Sequence, residues 1–314
     1  MKKYLVTGGA GFIGSNFVNR LFKELSSKES DFEIHCIDKL TYAGNLTNIS
    51  KEARESKSFV FHEVDINSTE VDVILGSNQF EYGINFAAES HVDRSIDGPA
   101  IFVTTNVLGT TNLLNAWRSF QNNRFIQIGT DEVYGSLQVG FANEQFRLMP
   151  SSPYSASKAS ADLIALSYRH TYGMDVIVTR CSNNYGPNQN SEKLIPKMID
   201  AIQANHDLQV YGDGSNVREW IHVEDHVSAI MQIATAIKPQ SSVYNIGTGI
   251  ELTNLQIIKL LQDKMKYSES KVKFIADRPG HDFRYAIDSR LLREEFGWKP
   301  EIDLNEGLDG LISL

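Results

Sequence analysis

KKYLVTGGAGFIGSN, residues 2–16, joins a short apolar run to a glycine-rich turn and then to the start of a helix-like segment. Gly9, Gly11 and Gly14 fit the spacing G-x-G-x-x-G, and Gly8 adds the overlapping spacing G-x-x-G-x-x-G. Glycines in such a turn let a pyrophosphate approach the backbone amides at the N-terminus of the helix. The stretch therefore predicts a dinucleotide site in a strand-turn-helix unit.

A second strand-like run ends at Asp38. A carboxylate in that place binds the ribose hydroxyls of a dinucleotide and repels a 2′-phosphate, so it favours NAD over NADP. The neighbouring Lys39 weakens this preference without reversing it.

The rest of the chain repeats the alternation of strand and helix. Strand-like runs fall near 3–7, 33–37, 59–64, 82–86, 124–129 and 175–180, and helix-like segments near 12–26, 68–76, 99–118 and 153–171. Such alternation predicts an α/β fold with a doubly wound parallel (Rossmann) sheet. After about residue 185 the pattern loosens, which indicates a smaller mixed α/β lobe. We expect residues 1–182 to form the dinucleotide domain and 183–314 mainly the substrate lobe, with interleaved boundaries.

Composition excludes several classes of function. The 314 residues are 41% hydrophobic and 22% charged, with a formal net charge of −9, which argues against nucleic acid or an anionic membrane as partner. Glycines interrupt the N-terminal apolar run too early for a signal peptide or a membrane span, so we expect a cytosolic protein. Cys36 and Cys181 lie in strand-like runs, which predicts buried free thiols.

Five residues form a candidate catalytic group. Thr130, Asp131 and Glu132 directly follow the run 124–129, where ligand sites of such sheets lie. Tyr154 and Lys158 are four residues apart, on one face of a helix that Ser152 and Pro153 would begin. A free tyrosine has a pKa of about 10, and a nearby cation stabilises its anion at lower pH.

The adjacent carboxyl groups of Asp131 and Glu132 have two interpretations. Their repulsion raises one pKa and so separates an acid from a base, or they form an ordinary solvated turn. Beside a dinucleotide site the first is favoured. The helices 99–118 and 153–171 are likewise either core-facing elements or a dimer contact. His222 and His226 have the spacing of a metal-ligand pair, but no further ligand cluster accompanies them, so we predict no metal site.

At this point the chain resembles the extended short-chain dehydrogenase/reductases and, among them, the dTDP-glucose 4,6-dehydratase family. The resemblance runs through nearly the whole chain and is carried by VTGGAGFIGSN (6–16), DKLTYAGN (38–45), AAESHVDRSIDGP (87–99), TDEVYG (130–135), SPYSASKA (152–159), NNYGPNQNSEKLIP (183–196), YGDGSNVREWIHVEDH (211–226) and DRPGHDFRYAID (277–288). One departure is Gly129, where many relatives have serine.

The resemblance implies a lyase that converts dTDP-glucose to dTDP-4-keto-6-deoxyglucose and water, with tightly bound NAD as cofactor, in deoxysugar pathways such as that to rhamnose. It implies that Tyr154 removes the proton of the 4-hydroxyl, Glu132 takes the proton at C5 and Asp131 donates to the departing 6-hydroxyl. From the helix patterns we also expect a homodimer formed through helices near 99–118 and 153–171. Alternatives are a UDP- or CDP-glucose 4,6-dehydratase, a nucleotide-sugar epimerase or decarboxylase, and a non-catalytic NAD-binding sensor.

The resemblance carries over further site residues, each matched to its motif in this sequence. Those expected to bind the cofactor are Gly8, Gly11, Phe12, Ile13, Gly14, Asp38, Lys39, Leu40, Thr41, Asp65, Ile66, Ala87, Ala88, Ser90, Thr105, Tyr154 and Lys158. Those expected to bind the nucleotide-sugar are Ser90, His91, Thr130, Asn183, Asn184, Lys193, Leu194, Arg218, Asn245, Arg278 and His281. The planar fork of Arg218 suits it as a clamp for a diphosphate.

Overall fold

The computed structural model describes residues 1–28, 31–266 and 270–313. The strands in chain order are β1 (Lys2–Thr7), β2 (Phe32–Asp38), β3 (Phe59–Glu63), β4 (Tyr82–Asn85), β5 (Arg124–Thr130), β6 (Val176–Cys181), β7 (Asn183–Tyr185), β8 (Leu208–Tyr211), β9 (Val217–His222), β10 (Val243–Ile246), β11 (Glu251–Thr253) and β12 (Val272–Ile275). The α-helices are α1 (Phe12–Ser27), α2 (Lys51–Arg54), α3 (Glu70–Gly76), α4 (Val92–Asp97), α5 (Pro99–Phe102), α6 (Thr110–Phe120), α7 (Pro153–Tyr172), α8 (Leu194–Gln203), α9 (Val223–Thr235), α10 (Asn254–Met265), α11 (Arg290–Phe296) and α12 (Leu304–Ile312). Short 3₁₀-helices lie at Leu46–Asn48 and Asp131–Tyr134.

The main sheet confirms the doubly wound prediction. Its seven strands are parallel and follow the order β10-β6-β5-β4-β1-β2-β3. Strand order reverses between β1 and β4, and the crevice beyond the carboxyl ends of the strands at such a switch point is where ligands bind. β10 belongs to this sheet although it comes late in the chain, so the path of the chain crosses between the two lobes.

Hydrophobic layers cover both faces of the main sheet. On one face α1 and α9 bury Phe17, Val18 and Ile230 against the strands. On the other face α3, α6 and α7 pack around Trp117. The ring of Trp117 fills the space beside Gly83 on β4, where an added Cβ would lie 2.5 Å from the ring. The central strands are thus buried on both sides, as parallel sheets require.

The helical segment predicted at 99–118 is present but irregular. A π-helical stretch, Val103–Gly109, separates α5 from α6. A π-turn rotates the faces of a helix, because it holds more residues per turn than the α form. As a result, Thr110, Leu114 and Trp117 are buried, whereas Val103 is 50% exposed.

α7 begins as its sequence predicts. The hydroxyl of Ser152 accepts a hydrogen bond from the backbone N–H of Ser155 in a reciprocal capping box, and Pro153 occupies the first helical position. The helix ends at Gly173, whose φ of +68° is left-handed. This firm start fixes Tyr154 and Lys158 in the first two turns.

The smaller lobe has its own core. β11, β9 and β7 form a mixed three-stranded sheet, and β12 and β8 form a parallel pair. α8, α10 and α12 cover these strands around Ile199, Trp220, Leu261 and Leu308. Cys36 and Cys181 are both buried and free, as expected. Among the described helices, none combines the length and hydropathy of a membrane span.

Candidate functional site

The glycine loop between β1 and α1 forms one end of the site. Gly8 has a φ of +68°, and a Cβ there would collide with the backbone of Ala87 at the end of β4. A Cβ on Gly14 would collide with the carbonyl of Gly8. α1 starts at Phe12 with no side chain capping its N-terminus. The loop therefore leaves a close approach to a helix N-terminus open, as a pyrophosphate requires.

Asp38 ends β2 and binds the glycine loop directly. Its Oδ2 accepts the backbone N–H of Ala10 at 3.0 Å, and its Oδ1 accepts that of Leu40 at 2.9 Å. Burial raises the pKa of Asp38, and these two hydrogen bonds and Lys39 oppose the rise. Lys39 forms its ion pair with Asp65, at 3.2 Å, rather than with Asp38. The carboxyl group of Asp38 is thus fixed by the glycine loop at the place where a ribose would lie.

The predicted catalytic residues meet at the carboxyl end of β5. Thr130 is the last residue of β5 and accepts the backbone N–H of Glu132 at 3.3 Å, which starts the 3₁₀-helix Asp131–Tyr134. The hydroxyl of Thr130 donates to Oδ1 of Asp131 at 3.2 Å and lies close enough to Tyr154 to lower the pKa of its phenol. Lys158 donates from Nζ to the carbonyl oxygen of Ile128 at 2.5 Å. The first two turns of α7 and the carboxyl end of β5 therefore place these polar groups next to one another.

The two acidic residues experience different surroundings. Burial raises the pKa of Asp131 well above its ordinary value, Glu132 and Glu219 raise it further, and Arg218 opposes them. Burial also raises the pKa of Glu132, but Arg218 and Lys193 oppose the rise. The Oδ2 of Asp131 is buried and has no hydrogen-bond partner among the described residues. Asp131 is therefore the group better suited to carry a proton, and Glu132 the one better suited to accept one.

One cavity joins the glycine loop to these residues. It is lined by all five predicted catalytic residues and by most of those expected to bind the cofactor or the sugar: Gly8, Gly11, Phe12, Ile13, Gly14, Asp38, Lys39, Thr41, Ile66, Ala87, Ala88, Ser90, Thr105, Asn183, Asn184 and Lys193. The Oγ1 of Thr105 is buried without a hydrogen-bond partner in the described part of the chain, so a ligand hydroxyl can use it. The glycine loop, the carboxyl group of Asp38 and the free hydroxyl of Thr105 together fit a dinucleotide.

Eight of the expected residues do not line the cavity: Leu40, Asp65, His91, Leu194, Arg218, Asn245, Arg278 and His281. Arg218 and Arg278 lie close enough to lower the pKa of Glu132. The guanidinium of Arg218 donates to the carbonyls of Val217, Asp282 and Phe283, at 2.8 to 3.3 Å. Arg278 pairs with Asp93 at 3.2 Å. Both cations border the site, each held by neighbours.

Asn245 is the expected residue that the structure places furthest from a ligand-binding role. Its side chain donates to the carbonyls of Ala142 and Asp288 and accepts the hydroxyl of Tyr134 at 2.8 Å. It is fully buried, and these contacts join β10 to the segment after the 3₁₀-helix. Its amide is therefore used by the fold itself.

Glu192 lines the cavity and was missed by the sequence reasoning. Its carboxylate lies 3.7 Å from His91 and 3.5 Å from Arg94, so it connects two segments that border the site. Its signal in the sequence was its position next to Lys193 within a matched motif. Cys181, at the end of β6 beside Thr130, was recognised as a buried thiol but not as part of the site.

The histidine pair takes structural positions. His222 caps α9 by accepting the backbone N–H of Glu224, and a ring nitrogen of His226 lies 2.9 Å from Oδ1 of Asn184. Burial lowers the pKa of His226 to about 3. Within the described ranges, no three His, Cys, Asp or Glu side chains are grouped as metal ligands.

Comparison with known proteins agrees with these features over the full chain. The family model for GDP-mannose 4,6 dehydratase matches residues 5–311. The chain is 45% identical over 310 residues to the dTDP-glucose 4,6-dehydratase of Streptomyces griseus, covering 98% of this chain and 92% of that protein. It is also 45% identical over 310 residues to the low-salt glycan biosynthesis protein Agl12 of Haloferax volcanii, covering 98% and 96%.

A solved structure gives the same result. DesIV, the dTDP-glucose 4,6-dehydratase of Streptomyces venezuelae, was solved with NAD bound and superposes with a TM-score of 0.93 at 41% identity, covering 99% of this chain and 96% of that one. Fold, cavity and sequence therefore agree, and the chain belongs to the dTDP-glucose 4,6-dehydratase family of NAD-dependent epimerase/dehydratases.

Proposed function

We propose that this protein is an NAD-dependent dTDP-glucose 4,6-dehydratase, which converts dTDP-glucose to dTDP-4-keto-6-deoxyglucose and water. The observation that carries the proposal is the pair Asp131 and Glu132 beside Tyr154 and Lys158, in the cavity that begins at the glycine loop. An oxidoreductase without an elimination step needs the tyrosine and lysine alone. Two carboxyl groups in unlike surroundings add an acid and a base for the loss of water.

NAD would be held by the glycine loop, Asp38 and Thr105, and when bound it accepts a hydride from C4 of the sugar and later returns it to C6. Tyr154 acts as the base that removes the proton of the 4-hydroxyl. Thr130, whose proximity lowers the pKa of Tyr154, orients the same oxygen. The cation of Lys158 would stabilise the phenolate, which is otherwise disfavoured because burial and the neighbouring Glu132 and Cys181 raise the pKa of Tyr154 well above its ordinary value.

The ketone at C4 makes the C5 hydrogen acidic, and the acid pair then completes the elimination. Glu132 takes the C5 proton, because the cations of Arg218 and Lys193 favour its charged form. Asp131, held protonated by burial, donates a proton to the 6-hydroxyl as it leaves as water. Glu132 then returns its proton to C5 as the hydride reaches C6. The proton that Tyr154 took from the 4-hydroxyl balances the one that Asp131 gave to water, so a net transfer of one proton from Tyr154 to Asp131 readies the site for the next turnover.

Residues 183–314 would mainly hold the nucleotide-sugar. Lys193, Asn183 and Asn184 line the cavity on the side of this lobe, and Arg218 and Arg278 place positive charge next to it. A diphosphate carries negative charge that such cations neutralise. We assign Asn245 no contact with the sugar, since its amide is used within the fold.

The test is direct incubation of the purified protein, without added NAD, with dTDP-, UDP- and CDP-glucose. We expect mass detection of a product that has lost one water from dTDP-glucose, and much less from the other two. Product from UDP- or CDP-glucose alone would assign another base, and a product of unchanged mass would indicate an epimerase. Bound NAD without any product would favour a non-catalytic sensor and contradict the proposal.

We further propose a homodimer that buries the apolar residues exposed on α5 to α7. Ile101, Val103 and Leu108 are 46%, 50% and 55% exposed, and Leu163 on α7 is 57% exposed. These helices pack together, and Arg118 of α6 covers the ring of Tyr172 of α7 at 4.3 Å. Exposed apolar residues gathered on adjacent helices are typical of an interface between protein chains.

Leu163→Glu should convert the dimer to a monomer, because it would bury a charge from each chain in an apolar interface. Light scattering coupled to size exclusion would report the change from two chains to one. Ile237→Glu is the matched control, since Ile237 is 97% exposed and lies outside these helices. Equal masses for Leu163→Glu and the unmodified protein would contradict this interface.

We propose that the protein works in the cytosol, in a pathway that makes a deoxysugar such as rhamnose. Two buried cysteines that remain free thiols suit a reducing compartment.

A further inference from the structure

Asp162 lies on the same face of α7 as the proposed catalytic pair. Tyr154, Lys158 and Asp162 follow one another at intervals of four residues, so their side chains lie one above another along the helix. The side chain of Asp162 is completely buried, in contact with β5 and β6. A buried carboxylate is costly unless a cation and hydrogen bonds compensate it.

Only one oxygen of Asp162 is fully compensated. Arg180 on β6 donates from Nε to Oδ2 at 2.9 Å, and its Nη1 donates to the hydroxyl of Tyr134. Oδ1 is buried and has no hydrogen-bond partner in the described part of the chain. The negative charge of Asp162 can therefore also interact with another cation nearby.

The carboxylate of Asp162 lies next to Gly129 on β5. A Cβ on Gly129 would lie 2.9 Å from Oδ1 and 3.1 Å from Oδ2 of Asp162, so the carboxylate occupies the space of the missing side chain. The preceding residue, Ile128, accepts the hydrogen bond of Lys158 Nζ. The ammonium of Lys158 and the carboxylate of Asp162 therefore lie against two successive residues of β5.

The charges around Lys158 agree with this geometry. Burial lowers the pKa of Lys158, and Asp162 is the leading charge that opposes this effect, followed by Cys181. The other titratable and charged side chains around the two residues are Tyr154 on α7, Arg180 on β6, and Asp131, Glu132 and Tyr134 in the 3₁₀-helix. Arg180 is directed toward Asp162 and Tyr134 rather than toward Lys158.

We propose that Asp162 is a positioning residue for Tyr154 and Lys158: its carboxylate, in the space left by Gly129, is the counter-charge that holds the Lys158 ammonium in place. The inference rests on the proposed function, in which Lys158 supports Tyr154 as base. The inference also gives a role to Gly129, where many relatives have serine, because the missing side chain leaves room for the carboxylate of Asp162. Asp162 acts through Lys158 and does not touch the sugar.

Asp162→Asn tests the proposal through the pH dependence of kcat with dTDP-glucose. Without the carboxylate, Lys158 loses its proton more readily, so the alkaline limb of the profile should move down by about one pH unit. The KM for dTDP-glucose should change little. A second readout is the ultraviolet difference titration of Tyr154, measured against Tyr154→Phe in each background; this titration should move to higher pH, because the phenolate loses the support of the Lys158 ammonium.

Three further variants keep the test decisive. Asp162→Glu retains the charge and should restore the alkaline limb, and Arg169→Gln, at a half-buried site on the same helix where the arginine pairs with Asp175, should leave it unchanged. If Asp162→Asn does not fold because Arg180 is left buried without its partner, the double variant Asp162→Asn with Arg180→Met should show the same displacement. A uniform loss of kcat at every pH, with an unmoved profile, would mean a merely structural role and would overturn the proposal. An unmodified protein without dehydratase activity would instead contradict the proposed function.

Discussion

Replacing Glu132 with glutamine should slow the loss of water from dTDP-glucose by about 10²- to 10⁴-fold, the range over which a positioned acid or base accelerates a reaction. Glutamine has nearly the shape of glutamate but cannot accept the C5 proton. The oxidation at C4 uses Tyr154 and Lys158 and should continue in this variant. We therefore expect the absorbance of reduced nicotinamide to build up on the enzyme while little dehydrated product forms.

Stopped-flow absorbance and mass detection of the product, taken on the same samples, separate the two steps. Asp131→Asn is the matched comparison, since it removes the neighbouring carboxyl and leaves the base. It should also slow the loss of water, because asparagine is a much poorer proton donor to the departing hydroxyl than a protonated carboxyl group. The two variants should differ in exchange of the C5 hydrogen with solvent deuterium, which Asp131→Asn retains and Glu132→Gln loses.

The assignment of the base depends on that difference. If Glu132→Gln still exchanged the C5 hydrogen and Asp131→Asn did not, the roles of the two carboxyl groups would be reversed. If both variants formed product at the rate of the unmodified protein, the pair would have no catalytic role. Thermal melting with and without NAD would show whether misfolding causes a loss of activity. We expect the melting temperature to change little, because the fold does not depend on a side-chain hydrogen bond from Glu132 to another described residue.

Much of the fold followed from local patterns. The runs predicted as strands at 3–7 and 124–129 became β1 and β5, because their apolar residues are buried on both faces of a parallel sheet. Ser152 and Pro153 predicted the start of α7, since capping depends only on neighbouring residues. The π-helical stretch Val103–Gly109 was not predictable in this way, because it depends on how that helix packs against its neighbours.

The residues of the site likewise fall into two groups: those predictable from local motifs and those whose role depends on tertiary contacts. Gly8, Asp38 and Tyr154 belong to motifs whose spacing carries their geometry, and all three line the cavity. Asn245 matched a motif, yet its side chain is used to connect distant segments, which is a long-range arrangement that spacing does not encode. Arg180 and Asp162 likewise meet only because β6 packs against α7. Sequence thus predicted which residues gather at the strand ends, and the tertiary structure determined what compensates their charges.

Replacing Tyr154 with phenylalanine should lower kcat by roughly 10³-fold, within the range for loss of a general base. The effect should appear in the first chemical step, so no reduced-nicotinamide absorbance should develop, in contrast to Glu132→Gln. The reason lies in the local charges. Burial, Glu132 and Cys181 all raise the pKa of Tyr154, and Thr130 lowers it. In the proposed mechanism the cation of Lys158 provides the further stabilisation that the phenolate needs.

Tyr168→Phe is the matched control for this change. Tyr168 lies on the same helix and its hydroxyl donates to Asn115 at 2.7 Å, away from the cavity. Removing that hydroxyl should cost about 1 kcal/mol of folding stability and leave kcat unchanged. The opposite result, in which Tyr154→Phe kept most of the oxidation rate in single-turnover absorbance measurements, would mean that another group takes the proton of the 4-hydroxyl. Thr130 is the neighbouring hydroxyl that lowers the pKa of Tyr154, and Thr130→Val in the Tyr154→Phe background would then decide whether it serves as the relay.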